Sequence, residues 1–242
     1  MKITVWNEYL HERTEDAVRE VYPEGIHNCI KDFLLKNGFT DVRTATLDEP
    51  EHGLTKEVLD DTDVLFWWGH MRHHMVSDEV VQRVYDRVQA GMGLIVLHSG
   101  HESKIFKKLM GTDSGQLRWR EIGETEIMWN IRPDHPIMQG IDAKVVIPHE
   151  ETYGELFHIP DPDELLMISW FSGGEVFRSA MTFHRGAGRI FYFKPGHETY
   201  PVYYMPEVQR ILCNAAKWAY NPDAPKIRFG HCPTAPVDEL QP

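Results

Sequence analysis

Cysteine is scarce: Cys29, Cys213 and Cys232 are the only three, odd in number and without a Cys-x-x-Cys spacing. That argues against a disulfide framework and a thiolate zinc site, and it fits a reducing compartment. Long apolar runs are lacking as well, since no stretch reaches the roughly 18 residues a membrane-spanning helix needs. Met1 to Trp6 enters a strand at once, without a charged region leading into an apolar segment, so no signal peptide is expected and the cytoplasm is the expected location. Positive charge is in deficit, with 25 Lys and Arg against 37 Asp and Glu and a net charge of −12. Neither nucleic acid nor an anionic membrane is therefore expected as a partner, because both demand a basic surface.

What is present is an ordinary globular composition, 42% hydrophobic and 26% charged over 242 residues, enough for one large domain. Histidine is abundant, with fourteen residues, several in close pairs. The first hundred or so residues alternate strand and helix. Lys2–Trp6, 42–47, 63–68 and 94–97 read as strands; Ile26, Ile30, Phe33 and Leu34, then Val80, Val81, Val84 and Val88 behind Ser77, recur at helical spacing. This pattern predicts a parallel sheet with right-handed crossovers. After Gly111 the rhythm changes. A hairpin turning at Gly123-Glu124, a strand over 145–147, strands over 164–170, 176–183 and 189–193, a hairpin turn over 184–188 and a final helix over 206–220 are expected. Residues 221–242 carry five prolines and read as a tail beyond a single domain over 1–220.

Leu94-Ile95-Val96-Leu97 stops abruptly at His98-Ser99-Gly100-His101, and a helix-like segment follows. Ligands of open α/β sheets sit outside the carboxyl ends of such strands. Two further turns share the pattern of an apolar run delivering a glycine and a histidine: Gly69-His70 after strand 3, and Gly196-His197-Glu198 after the last strand. With Glu150, Glu151 and Tyr153 nearby in sequence, imidazoles and carboxylates could converge on a divalent metal. The spacing alone is unspecific, since His-x-x-His is short and common. His52, His135, His158 and His231 read as surface or loop residues, His184 as exposed or packing, and most tryptophans as core. Ser99 does not fit a nucleophile elbow, because Gly-x-Ser-x-Gly needs a glycine two positions earlier; Gly100 makes His98 the apex instead.

Trp67-Trp68-Gly69-His70, 93–101, 150–155, Ser169-Trp170-Phe171, 173–179 and 185–198 together resemble the trehalose-utilisation (ThuA)-like proteins, which share the class I glutamine amidotransferase-like fold. The resemblance covers about residues 2 to 220. It implies a flavodoxin-like, doubly wound, mostly parallel sheet with added antiparallel strands. It also sets His98 where the amidotransferase cysteine stands, Gly69 near the oxyanion turn, and His197 at the catalytic histidine. With no cysteine at position 98, the thioester route is closed, so glutamine amidotransferase activity is not inherited with the fold. The family name implies a role in the use of trehalose or a related sugar derivative.

The expected function is therefore a sugar-acting enzyme, a hydrolase, lyase or isomerase, holding a divalent metal, zinc by preference. The candidate ligands are His70, His98, His101, Glu151 and His197. His98, His197, Glu150, Glu198 and Tyr153 are the candidate catalytic groups; Trp68, Gly69, Ser99, Gly100 and Arg185 are the candidate substrate contacts. The alternatives are a metal-free acid–base enzyme on a similar sugar and a non-catalytic sugar-binding or assembly module. The apolar runs 191–193 and 200–204 raise the prospect of a homo-oligomer.

Overall fold

A computed structural model describes residues 1–225 and Gly230; most of the expected proline-rich tail, with His231 and Cys232, lies outside the described residues. Nine strands form one sheet in the order β2-β1-β3-β4-β9-β8-β7-β5-β6. The first five in that row are parallel: β1 (Lys2–Asn7), β2 (Asp41–Thr46), β3 (Val64–Trp68), β4 (Gly93–Leu97) and β9 (Gly188–Phe193). This 2-1-3-4-5 arrangement is the flavodoxin order, with the topological switch between β1 and β3.

The parallel strands are continuous apolar runs because both their faces are covered. Ile3, Phe66, Trp68, Ile95 and Leu97 pack on one face against α3 (Ile26–Lys36) and α7 (Pro206–Ala219). Trp6, Leu65, Trp67, Leu94 and Val96 pack on the other against α4 (Lys56–Asp60), α5 (Asp78–Gln89) and α6 (Lys104–Met110). Ser77 and Ser103 cap α5 and α6 by accepting the N–H of Val80 and Phe106, each cap contributing about 1 kcal/mol. Two short helices, α1 (His11–Thr14) and α2 (Asp16–Val21), follow β1.

Beyond β9 the sheet continues antiparallel through β8 (Val176–Arg185), β7 (Glu164–Phe171), β5 (Arg118–Asn130) and β6 (Lys144–Gly154). Here the structure departs from the sequence reading. No hairpin turns at Gly123-Glu124: β5 is a single strand whose register with β6 shifts between Arg120 and Glu126, and the positive φ of Gly123 is absorbed in that irregularity. The strand expected over 145–147 is longer than that and runs on through 149–154 as β6. The run 191–193 is fully buried in the core and Val202 and Tyr203 are buried too, while Tyr200 is half-buried and Pro201 and Tyr204 are exposed. Trp119, Trp129 and Trp170 are exposed rather than core, whereas Trp6, Trp67 and Trp68 are buried. His135 lies in a loop, as expected, but is buried there, accepting the N–H of Ile137. No helix among the described residues is long and apolar enough to cross a membrane.

Candidate active site

At the end of β4 the chain turns at His98, which takes a left-handed conformation (φ 49°) that a non-glycine residue adopts only when its surroundings impose it. Those surroundings are visible. The His98 Nδ1–H donates to the carbonyl of Lys194 at 2.9 Å, and the Tyr192 hydroxyl donates to the His98 carbonyl at 3.1 Å. With Nδ1 committed, Nε2 is left facing the Glu151 carboxylate, 3.2 Å from Oε2. The separation is that of an ion pair, but the two groups are misaligned for a hydrogen bond, and both atoms are buried without a hydrogen-bond partner. Burial opposes charge on the His98 imidazole, yet the Glu151 carboxylate outweighs it and raises its pKa; burial likewise works against the Glu151 anion, and His98 lowers its pKa on balance.

His197 arrives from β9 through Pro195-Gly196. Gly196 has φ 128°, and a Cβ there would overlap the Tyr203 hydroxyl, so the turn requires glycine. Trp68 donates its indole N–H to the Gly196 carbonyl at 3.1 Å. Glu150 holds the same turn from the other side, accepting the N–H groups of Gly196 at 2.7 Å, Glu151 at 2.9 Å and His197 at 3.3 Å. On the His197 ring, Nδ1 meets the Thr199 hydroxyl at 2.8 Å and the Thr199 N–H at 3.3 Å. Burial lowers the His197 pKa. Behind this layer lies Lys194, fully buried, its ammonium paired with Glu126 at 3.0 Å and donating to the Glu151 carbonyl.

The third turn is seated by Glu8, whose carboxylate accepts three successive N–H groups, from His70 at 2.9 Å, Met71 at 3.0 Å and Arg72 at 2.8 Å. His70 is thereby aimed at Glu198, with Nδ1 2.8 Å from Oε1. His11, from α1, brings its Nδ1 to 3.5 Å from the same oxygen. The ring of His70 stands 5.9 Å from that of His98 and 5.6 Å from that of His197, and the latter two are 5.4 Å apart. Two groups with metal-ligand spacing result, His98 with Glu151 and His197, and His11 with His70 and Glu198; within each, one donor atom per residue lies within 4.8 Å of the others.

The cluster opens into a cleft of about 630 Å³, lined among others by His70, Ser99, His101, Glu151, Tyr153 and His197, with Met71 and Trp119 exposed at its rim. His101 belongs to the wall but to neither ligand group. Its Nδ1–H donates to the Ser114 carbonyl at 3.2 Å, and burial drops its pKa to about 3, so at neutral pH it is an uncharged acceptor. The Tyr153 ring stacks on His98 at 5.5 Å, and burial keeps its phenol protonated. Ser99 donates to the Gly69 carbonyl at 3.0 Å, tying two of the turns together. Gly100 is packed so closely that a Cβ would stand 3.0 Å from Val96 Cγ1 and 3.3 Å from the Trp67 carbonyl.

Of the residues singled out in the sequence, His70, His98, Glu151, His197 and Glu198 converge, with Tyr153, Ser99 and His101 beside them. Glu150 and Trp68 are turned onto backbone groups of the Gly196 turn. Arg185 is not brought in: it sits in the β8–β9 hairpin at the opposite end of β9 and donates to the carbonyls of Leu109 and His184. Three contributors were missed, Glu8, His11 and Lys194. The first two carry one available signal, a position just beyond the carboxyl end of β1, the same sheet edge as His98.

Comparison with solved structures gives the same architecture. A ThuA-like protein from Parabacteroides merdae matches with a TM-score of 0.68 at 16% identity, over 94% of this chain and 92% of that one. A ThuA-like protein from Bacteroides uniformis gives 0.62 at 15%, over 90% and 91%, and a cytoplasmic protein from Salmonella typhimurium gives 0.60 at 13%, over 90% and 99%. At these identities the likeness establishes the fold alone. No curated protein matches the sequence. The family model for ThuA, described as trehalose utilisation, matches residues 2–219, and the chain accordingly belongs to the ThuA family of sugar-utilisation proteins.

Proposed function

We propose that this protein is a metal-dependent enzyme acting on trehalose or a related sugar derivative, with a divalent transition metal, zinc by preference, held by His98, Glu151 and His197. The supporting observation is the pair of atoms His98 Nε2 and Glu151 Oε2, both buried and both without a hydrogen bond. The two stand 3.2 Å apart as an ion pair with no other partner, and a shared cation would satisfy both. The donors fit: two imidazoles and a carboxylate form a catalytic type of metal set with room for an outside ligand. His98 also has the outer arrangement expected of a ligand, its far nitrogen donating to a backbone carbonyl so that the near one carries the lone pair.

When bound, the metal would supply Lewis acidity toward a sugar oxygen or a water. The chain's own groups do the rest. His101, uncharged, accepts a hydrogen bond from a sugar hydroxyl, and Tyr153 donates one. Trp119 at the rim offers an apolar face to a pyranose ring, and the cleft volume suits a ligand of disaccharide size. Nothing here resembles the thioester chemistry of amidotransferases, since position 98 holds an imidazole.

The contact of the Thr199 N–H with His197 Nδ1 favours a second reading, because it leaves the proton on Nε2 in the neutral ring. His197 would then be a proton donor opposite His98 in a metal-free acid–base pair. Elemental analysis of untagged protein decides between them. The metal reading expects close to a full equivalent or more of a transition metal; less than about a tenth of an equivalent, with activity untouched by chelator, contradicts it.

A further inference from the structure

We propose that the carboxyl ends of β1 and β3 carry a second divalent-cation site, built by His11, His70 and Glu198, so that the cleft houses a two-metal centre. This extends the metal reading above and is separable from it by experiment. The two imidazoles flank one carboxylate oxygen, with Glu198 Oε1 2.8 Å from His70 Nδ1 and 3.5 Å from His11 Nδ1. His11 Nδ1 and Glu198 Oε2 are buried polar atoms without a hydrogen-bond partner, in side chains only 8% and 4% exposed. The far nitrogen of His11 faces the Glu15 carboxylate at 3.6 Å, an ion-pair separation beyond hydrogen-bond reach.

Position in the fold points the same way. β1 and β3 are the strands at which the crossover direction reverses, and ligands of doubly wound sheets collect in the crevice that reversal opens. Glu198 also stands between the two ligand groups: its second oxygen is 3.8 Å from His197 Nδ1. A paired centre can clamp both the attacking and the leaving oxygen of a displacement. The donor set suits Zn, Mn, Fe or Co rather than Ca or Mg, which prefer oxygen alone.

The test is metal stoichiometry, which needs no substrate. Full-length untagged protein, stripped with chelator and dialysed against zinc chloride, is measured by mass spectrometry of the metal alongside the His11→Ala, His11→Gln and Glu151→Gln variants, with thermal melts confirming that each is folded. The expected result is two equivalents in the wild type and one in each variant. With cobalt in place of zinc, the His11 and Glu151 variants should show different visible spectra, since each retains a different site. Equal stoichiometry in the wild type and both His11 variants overturns the proposal. If one equivalent is bound and only Glu151→Gln loses it, the second site is refuted while the first stands; no binding in the wild type refutes both.

Discussion

Replacing Lys194 by Met should destabilise the protein severely, and the cost can be worked from its surroundings. The ammonium is fully buried, 3.0 Å from the equally buried carboxylate of Glu126, hydrogen-bonded to the Glu151 carbonyl, and set over the rings of Phe171 at 4.8 Å and Tyr153 at 5.1 Å. A methionine fills similar volume, so the loss is electrostatic. Removing one partner of a buried pair costs about 3–5 kcal/mol, because the remaining charge has no solvent. For a domain of this size that is a fall in Tm of about 10 °C. Glu126 provides the internal check. Burial already pushes its carboxyl up against the pull of Lys194; without the ammonium it escapes by taking a proton. A carboxyl whose pKa is raised on folding stabilises the folded state at low pH and loses that contribution as pH rises through the folded value. The Lys194→Met deficit should therefore be largest near pH 8 and shrink toward pH 5, and Lys194→Met with Glu126→Gln should recover part of it. Urea unfolding followed by circular dichroism at both pH values measures this. A deficit under about 1 kcal/mol, or one independent of pH, would refute the reasoning.

Further outcomes follow from the same contacts. His27 is buried and its pKa is lowered to about 4 by desolvation; the unfolded chain takes up that proton near 6.5, so stability should fall by roughly 2 kcal/mol between pH 7 and 4.5, and His27→Gln should lose that part of the slope in urea titrations. Gly196→Ala, which drives a methyl into the Tyr203 hydroxyl at a positive φ, should cost more than about 2 kcal/mol in thermal unfolding; a neutral result would mean the turn is looser than described. Glu8→Ala removes a charged acceptor from three N–H groups and should cost about 1.5–3 kcal/mol, with amide exchange at residues 70–72 rising; unchanged exchange there would contradict the seating role.

The parallel half of the fold was legible because both faces of its strands are covered, so that apolar runs, caps and turn residues all agree. The antiparallel half was less so. Gly123 reads as a turn in sequence, but a glycine at positive φ serves a strand irregularity equally well, and only pairing with β6 settles which it is. The apex position of His98 could be read from its place after an apolar run and before Gly100. Of the neighbouring pair, Glu151 reads in sequence as a ligand and Glu150 as a catalytic group; successive side chains of a strand point oppositely, and Glu151 meets His98 whereas Glu150 binds backbone N–H groups. Arg185 carried the resemblance but lies at the wrong sheet end, a matter of topology. His11 stood alone in a polar segment, and nothing local distinguishes it from a surface histidine.

The central claim, a metal on His98, Glu151 and His197, is tested most directly by anomalous diffraction at the zinc edge from crystals of untagged protein. The account predicts a peak about 2.0–2.2 Å from one nitrogen of each histidine and a Glu151 oxygen. Featureless anomalous density there, with a water or a direct His98–Glu151 hydrogen bond in its place, would contradict it.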